Sequence, residues 1–364
     1  MSDAKVWLDK LKKLPQPEGK LAIMNVCGGH ERSITMAGLR GILPDFVKLV
    51  PGPGCPVCIC PEGDIHAAIR LGMEDKVLLC AFGDMLRVPI NRGHAEVRSL
   101  EQAHANGADV RPVASPMEAV ALAKQNPDRE VVFFAAGFET TMAPVAAMIA
   151  EGPPKNLTVW LSGRLTWPAV AMLLDSGEPG FDCLVAPGHV STVMGPEEWS
   201  FVWEKHGIPA AVAGFQPESL VAAFYSVMRQ KAEGKPMLDN CYPEVVKAGG
   251  NPTAKGILEK VFEVVDSPWR GVGTIPASGY QIRAEFGAWD ARQRFPHQDR
   301  DEGDSEMPPG CDCASVVLGK MEPVACRLYE AACTPRTPVG PCMVSDEGAC
   351  RIWWSGGVRK STNA

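Results

Sequence analysis

A chain of 364 residues with 46% hydrophobic content can bury a substantial core, and at roughly 100 to 200 residues per domain it divides into three domains. Its net charge of −7 argues against nucleic acid, anionic membrane surfaces and acidic substrates as partners, all of which select basic faces. No charge-free apolar run approaches the roughly 18 to 20 residues that span a bilayer, and residues 1–8 lack the pattern of an export signal, so a soluble cytoplasmic protein without membrane insertion is expected. In that compartment thirteen cysteines point to metal binding or thiol redox chemistry rather than structural disulfides.

Residues 3–14 place Val6, Trp7, Leu8, Leu11 and Leu14 at helical spacing, which predicts a short docking helix within 1–20 that packs on the C-terminal module. Apolar runs that each end in a Gly-containing turn follow: Leu21–Val26, Phe46–Val50, Val77–Ala81, Val131–Ala136, Leu157–Leu161, Leu184–Ala186 and Pro209–Ala213. Strands of this kind alternating with helical stretches predict an α/β fold with parallel sheets. The runs at 21, 46 and 77 parallel those at 131, 181 and 210 in order, a pattern that an internal duplication explains and that chance likeness of glycine-terminated strands also allows. On the first account, Rossmann-like lobes at 21–125 and 126–250 face each other, with six strand-end loops around one cleft. Beyond about residue 250 the periodicity fails, residues 296–310 are polar and turn-rich, and 251–364 is expected to be a loop-rich module that needs a metal or covalent staple.

The strand-end loops carry the chemistry. Cys27 is followed by Gly28, Gly29 and His30, a loop whose backbone N–H groups can face an anion while one thiolate holds a metal. Cys55 and Cys58 form a C-x-x-C pair in a Pro- and Gly-rich turn, suited to a disulfide or to one metal ion. Cys27, Cys55, Cys58 and Cys60 together offer a closed zinc site as the structural alternative. In Gly137-Phe138-Glu139-Thr140-Thr141 a threonine serves as helix N-cap on the bland account, which leaves Glu139 free to orient a thiol or accept a proton. His189 supplies a second histidine at the equivalent loop, and Asp84 with Arg87 reads equally well as a helix-start ion pair.

The C-terminal cysteines are Cys311, Cys313, Cys326, Cys333, Cys342 and Cys350, a spacing unlike a zinc ribbon or a bacterial ferredoxin run. Six thiols accommodate a four-thiolate cluster with two left as a redox pair.

Cys27-Gly28-Gly29-His30, Gly52-Pro53-Gly54-Cys55-Pro56-Val57-Cys58, Gly137-Phe138-Glu139-Thr140-Thr141, Pro187-Gly188-His189-Val190-Ser191 and the tail from Pro338 to Cys350 together resemble the HypD family of [NiFe]-hydrogenase maturation factors. The resemblance spans nearly the whole chain. It implies a scaffold for assembling Fe(CN)2CO, working with a HypC-type chaperone and a HypE-type cyanide-transfer protein, and serving indirectly the hydrogenase large subunit. Cys27 would hold the iron, Cys55 and Cys58 would be the adjacent redox dithiol, and His30, Glu139, Thr140 and His189 would complete the site. The C-terminal module would resemble ferredoxin-thioredoxin reductase, with Cys311, Cys326, Cys333 and Cys350 ligating a [4Fe–4S] cluster and Cys313 and Cys342 as its redox pair. Such a protein is a redox-active scaffold more than a turnover enzyme. A thiol-disulfide oxidoreductase acting on a protein client and a zinc-stabilised binding module are the rival readings. The family's first motif usually reads C-G-x-H-x-H, and here Arg32 stands at the second histidine.

Overall fold

The structure, a computed structural model, describes residues 3–91, 96–299 and 307–360; the chain ends and the middle of the turn-rich 296–310 stretch lie outside the described residues. In chain order the strands are β1 (Leu21–Asn25), β2 (Val47–Pro51), β3 (Leu78–Phe82), β4 (Val110–Val113), β5 (Val131–Gly137), β6 (Leu157–Gly163), β7 (Cys183–Pro187), β8 (Ala210–Ala213), β9 (Leu238–Asn240), β10 (Phe262–Trp269) and β11 (Gly273–Ile282). One sheet has the order β2-β1-β7-β8-β9 and a second the order β4-β3-β5-β6, with every pairing in both parallel. The apolar runs are continuous because helices cover both faces: β5, β6 and β7 are buried along their whole length. β10 and β11 form a separate antiparallel hairpin.

Both sheets are wound alike. In each, the chain starts inside the sheet, moves to one edge, then returns past its own start, so the winding reverses between β1 and β7 and between β3 and β5. Such reversals open a crevice at the carboxyl ends of the strands.

The expected lobe boundaries do not coincide with the sheets, because the second sheet is inserted between β2 and β7 of the first. β1 pairs with β7 through Ile23 and Cys183, not with the strand at 78–82. Apolar runs look the same whichever neighbour they choose, so the pairing across a long connection is invisible in their pattern. The matched runs at 46 and 181 fall in one sheet, so a sequential duplication does not describe the fold; by place in the sheets β1 corresponds to β3, and β7 to β5.

The N-terminal helix, Asp3–Leu11, packs on the helix Pro217–Glu233 and not on the C-terminal module. The Trp7 ring lies 5.5 Å from Tyr225, and Leu11 is buried in one core with Leu220 and Phe224. Residues 252–282 belong to the second sheet's surface: the helix Pro252–Val261 packs on Glu139–Ala150, and β11 packs on β6. The loop-rich part is therefore narrower than 251–364. From 307 to 360 its longer elements are the helices Cys313–Val317 and Ala349–Ser355, and it shares one apolar core with the Cys55–Cys60 turn.

Candidate functional site

Cys27 ends the Leu21–Val26 run and caps the helix Gly28–Met36, so its sulfur faces the first free backbone N–H groups of that helix. Those of Gly29 and His30 favour its thiolate, but burial and then the nearby Glu347 carboxylate push the Cys27 thiol up to about 12. Gly28 makes this closeness possible, since a Cβ there would overlap the backbone carbonyl and Cβ of Glu347. Glu347 itself is pushed up to about 7, first by burial and then by Asp84.

Cys27 opens into a cavity of about 100 Å³ between the two sheets. Its wall is built from strand-end loops: Gly54 and Pro56 after β2, Phe138, Thr140 and Thr141 after β5, Thr166 after β6, His189 after β7 and Phe215 after β8, with Glu347 from the tail. Six strand ends thus converge on it, although the loop after β3 instead lines an adjoining cavity of about 600 Å³ with Glu347. Asp84 in that loop accepts hydrogen bonds from Ser345 Oγ (2.9 Å) and Asp346 N (3.3 Å), fixing the tail against the second sheet. The expected Asp84–Arg87 pair is replaced by these contacts, and Arg87 donates to Pro335 O (3.0 Å).

Cys55 and Cys58 form a disulfide with their Cα atoms 5.3 Å apart. Pro56 at the start of the short helix Pro56–Ile59 sets the turn that brings them together. The four-thiolate zinc alternative is not formed: Cys60 turns away, its sulfur 3.5 Å from Ser162 Oγ, and Ser162 donates to Asp64 at 2.6 Å.

Two predicted residues sit elsewhere than expected. His30 is fully buried beneath the cavity, its Nε2 2.9 Å from Ala213 O, and burial lowers it to about 4, so it is a neutral ring. Glu139 is also fully buried and reaches no thiol. Its two oxygens accept from Thr166 N and Thr166 Oγ1, both at 2.7 Å, so it positions a threonine that does line the cavity. Burial raises Glu139, and the neighbouring Glu198 is pushed up to about 9 by burial and by Glu139. Nor is Thr140 or Thr141 an N-cap; the helix begins at Glu139 after Phe138, leaving both threonines on the cavity wall. Arg32 is exposed and lines no part of that wall. Its neighbour Glu31 ties the helix to its surroundings, accepting from Asn25 Nδ2 (3.1 Å), Arg40 Nη2 (2.6 Å) and Trp353 Nε1 (2.5 Å).

Glu347, Thr166 and Phe215 line the cavity although residue type and spacing gave them no role. Phe215 has a traceable signal, since it follows a glycine at the end of β8; it packs edge-on against His189 at 4.2 Å. Burial lowers His189.

The six C-terminal thiols converge around Cys313, which lies 3.3 Å from Cys311 and hydrogen-bonds with Cys342 and Cys350. Hydrogen bonds from Cys313 and Cys342 pull Cys350 down to about 6, while those contacts and burial push Cys342 up. Cys326 and Cys333 stand beside Cys311, and their thiols are raised by burial. A Cβ on Gly340 would overlap the sulfurs of both Cys311 and Cys313, so the backbone here is shaped to the thiols. Among the described residues no three His, Cys, Asp or Glu side chains are already disposed around a metal ion. The donor set fits an iron–sulfur cluster all the same: six soft thiols, largely buried and crowded together, with the Asp312 carboxyl against Cys326 as a hard neighbour.

Among the described residues no helix is long and apolar enough to cross a membrane. Comparison with known proteins gives a family model named HypD, described as "Hydrogenase formation hypA family", that matches residues 2–357. Similar proteins include hydrogenase maturation factor HypD2 of Bradyrhizobium diazoefficiens, 40% identical over 94% of this chain and 90% of that one. Hydrogenase maturation factor HypD of Azotobacter vinelandii is 40% identical (94% and 91% covered), and that of Cupriavidus necator is 38% identical (94% and 91%).

Proposed function

The chain belongs to the HypD family of hydrogenase maturation factors, and from that premise we propose that it is a cytoplasmic scaffold on which an Fe(CN)2CO unit is assembled at Cys27. The observation that carries this reading is a single free thiol opening into a small interlobe cavity beside a disulfide and a proton-accepting carboxyl.

The iron unit is the cargo. As iron arrives, the Cys27 S–H proton passes to the Glu347 carboxylate and an iron–thiolate bond forms. Glu347 suits this because burial brings it near neutrality, so it takes and returns a proton at working pH. The Gly29 and His30 amides then stabilise the thiolate, while Thr140, Thr141 and Thr166 offer hydroxyl groups to anionic co-ligands such as cyanide. His30 acts as a buried support for the loop, and His189 is the histidine at the wall.

Cys311, Cys326, Cys333 and Cys350 would hold a [4Fe–4S] cluster, with Cys313 and Cys342 as the neighbouring thiol pair, in a module similar to ferredoxin-thioredoxin reductase. When bound, the cluster supplies single electrons. The Cys55–Cys58 turn packs directly on the Cys313 helix and on Pro341–Met343, which keeps the disulfide next to the C-terminal thiols. Reducing that disulfide takes up two electrons and two protons and frees two thiols beside the cargo. A HypC-type chaperone sharing the iron and a HypE-type cyanide donor are the partners this scaffold requires, and a [NiFe]-hydrogenase large subunit is the destination.

The test is an infrared spectrum of anaerobically purified, iron-loaded protein with its small chaperone. Cyanide and carbonyl stretching bands are expected, and their absence at full iron loading refutes the assembly role. Catalytic turnover of a disulfide client without those bands would establish the oxidoreductase reading instead.

A further inference from the structure

Arg270 stands at the junction of the two thiol regions. It occupies the turn between β10 and β11, and its side chain is wholly buried. Its backbone N–H donates to Ile59 O at 3.0 Å, between Cys58 and Cys60. The guanidinium donates from Nη2 to Pro89 O (2.8 Å) and lies 3.5 Å from Glu62 Oε1. Its Nε and Nη1 have no partner among the described residues. The next residue, Gly271, packs against Met307 and Ala314, so the turn is pressed onto the segment that carries Cys311 and Cys313.

A buried guanidinium with two unpaired donors is costly unless an anion lies close by. The Arg270 guanidinium lies within electrostatic reach of Cys311 and of Cys60. An iron–sulfur cluster held by four thiolates is an anion whose sulfurs accept N–H groups, and its potential follows the charge and hydrogen bonds around it. Of the other arginines near this module, Arg327 is exposed, Arg359 stacks on the Trp354 ring, and Arg351 next to Cys350 is partly exposed and paired with Asp346 at 3.8 Å.

We propose that Arg270 sets the reduction potential of the cluster held by the C-terminal thiols, with Glu62 as its counter-charge. This rests on the cluster reading given above. Arg270 stabilises the reduced, more negative cluster, and Glu62 offsets part of that effect. The same residue is bonded through its backbone to the turn after Cys58, so it joins the disulfide turn to the C-terminal thiol segment.

The experiment uses the full chain, reconstituted anaerobically, with iron and sulfide measured before an electron-paramagnetic-resonance redox titration. R270M should lower the equilibrium constant for one-electron reduction roughly tenfold, a midpoint about 59 mV more negative. R270K should move it less, and E62Q should move it the opposite way. An unchanged midpoint in R270M, or shifts of the same sign in R270M and E62Q, overturns the proposal and leaves Arg270 a packing residue. If R270M does not fold, E62Q decides, because a midpoint equal to wild type is equally fatal. Wild-type protein that binds no iron and sulfide refutes the cluster reading itself, an outcome distinct from a loaded R270M with an unshifted potential.

Discussion

The thiols around the interlobe cavity are held by loops that leave parallel strands, whereas the six C-terminal thiols hang on turns and helices of a few residues. In the first region the backbone is fixed by sheet hydrogen bonds, and Cys27 needs nothing beyond its helix end and a glycine to face the cavity. In the second the thiols crowd against one another, each raising or lowering its neighbour, without enough regular structure to hold them apart. The difference teaches that one thiol can be set in place by the fold alone, while thiols crowded on short turns have little regular structure to fix their shape.

The sharpest way to break this comparison is Cys27→Ala. The infrared bands of the loaded scaffold should vanish completely, while the visible absorbance of the C-terminal cluster stays; loss of both would merge the two regions into one. Next in size, stripping iron with a chelator should leave the far-ultraviolet circular dichroism of the sheets nearly intact but open 307–360 to protease. Equal protection before and after would show that the thiol module holds itself together. Trp353→Phe removes a hydrogen bond to the buried Glu31 carboxylate and should cost about 2 kcal/mol in denaturant unfolding. A cost near zero would mean that the Cys27 helix does not lean on the C-terminal helix.

The smallest effect concerns protons. Glu347 opposes the Cys27 thiolate, so Glu347→Gln should move the pH profile of Cys27 alkylation to lower pH, and at a given alkaline pH the variant should react up to roughly tenfold faster. Glu347 carries its charge only above about 7, so variant and wild type should converge in acid and separate as pH rises. Coincident profiles at alkaline pH would remove Glu347 from the site.

The parallel α/β character was legible because strands buried on both faces read as uninterrupted apolar runs, and β5 and β6 are examples. β4 and β9 were not, since Arg111 and Pro112 in one and Asp239 and Asn240 in the other mark edge strands too polar to stand out. Strand partners were hidden for a different reason: nothing in Ile23 or Cys183 specifies that they will be neighbours. At the site, residue types announced Cys27, Cys55, Cys58 and His189, because thiol and imidazole chemistry is carried by few side chains. The misplacement of Glu139 shows the limit of that logic. A carboxylate in a glycine-rich loop reads as a proton acceptor, yet both its oxygens are committed to Thr166, a residue with no sequence relation to it. Glu347 escaped because its place depends on Gly28 and Asp84, more than 250 residues away.

The insertion of one sheet inside the other also orders events during synthesis. The second sheet is built from consecutive strands, so its contacts form as soon as residues 78–163 have emerged. β1 and β2 must wait, since β1 closes on β7, and Ala22 N finds Asp182 at a separation of 160 residues. The tail that brings Glu347 over Cys27 arrives later still. The cavity is therefore the last part of the molecule to exist, and a ribosome-bound or truncated chain presents Cys27 without the carboxyl beside it.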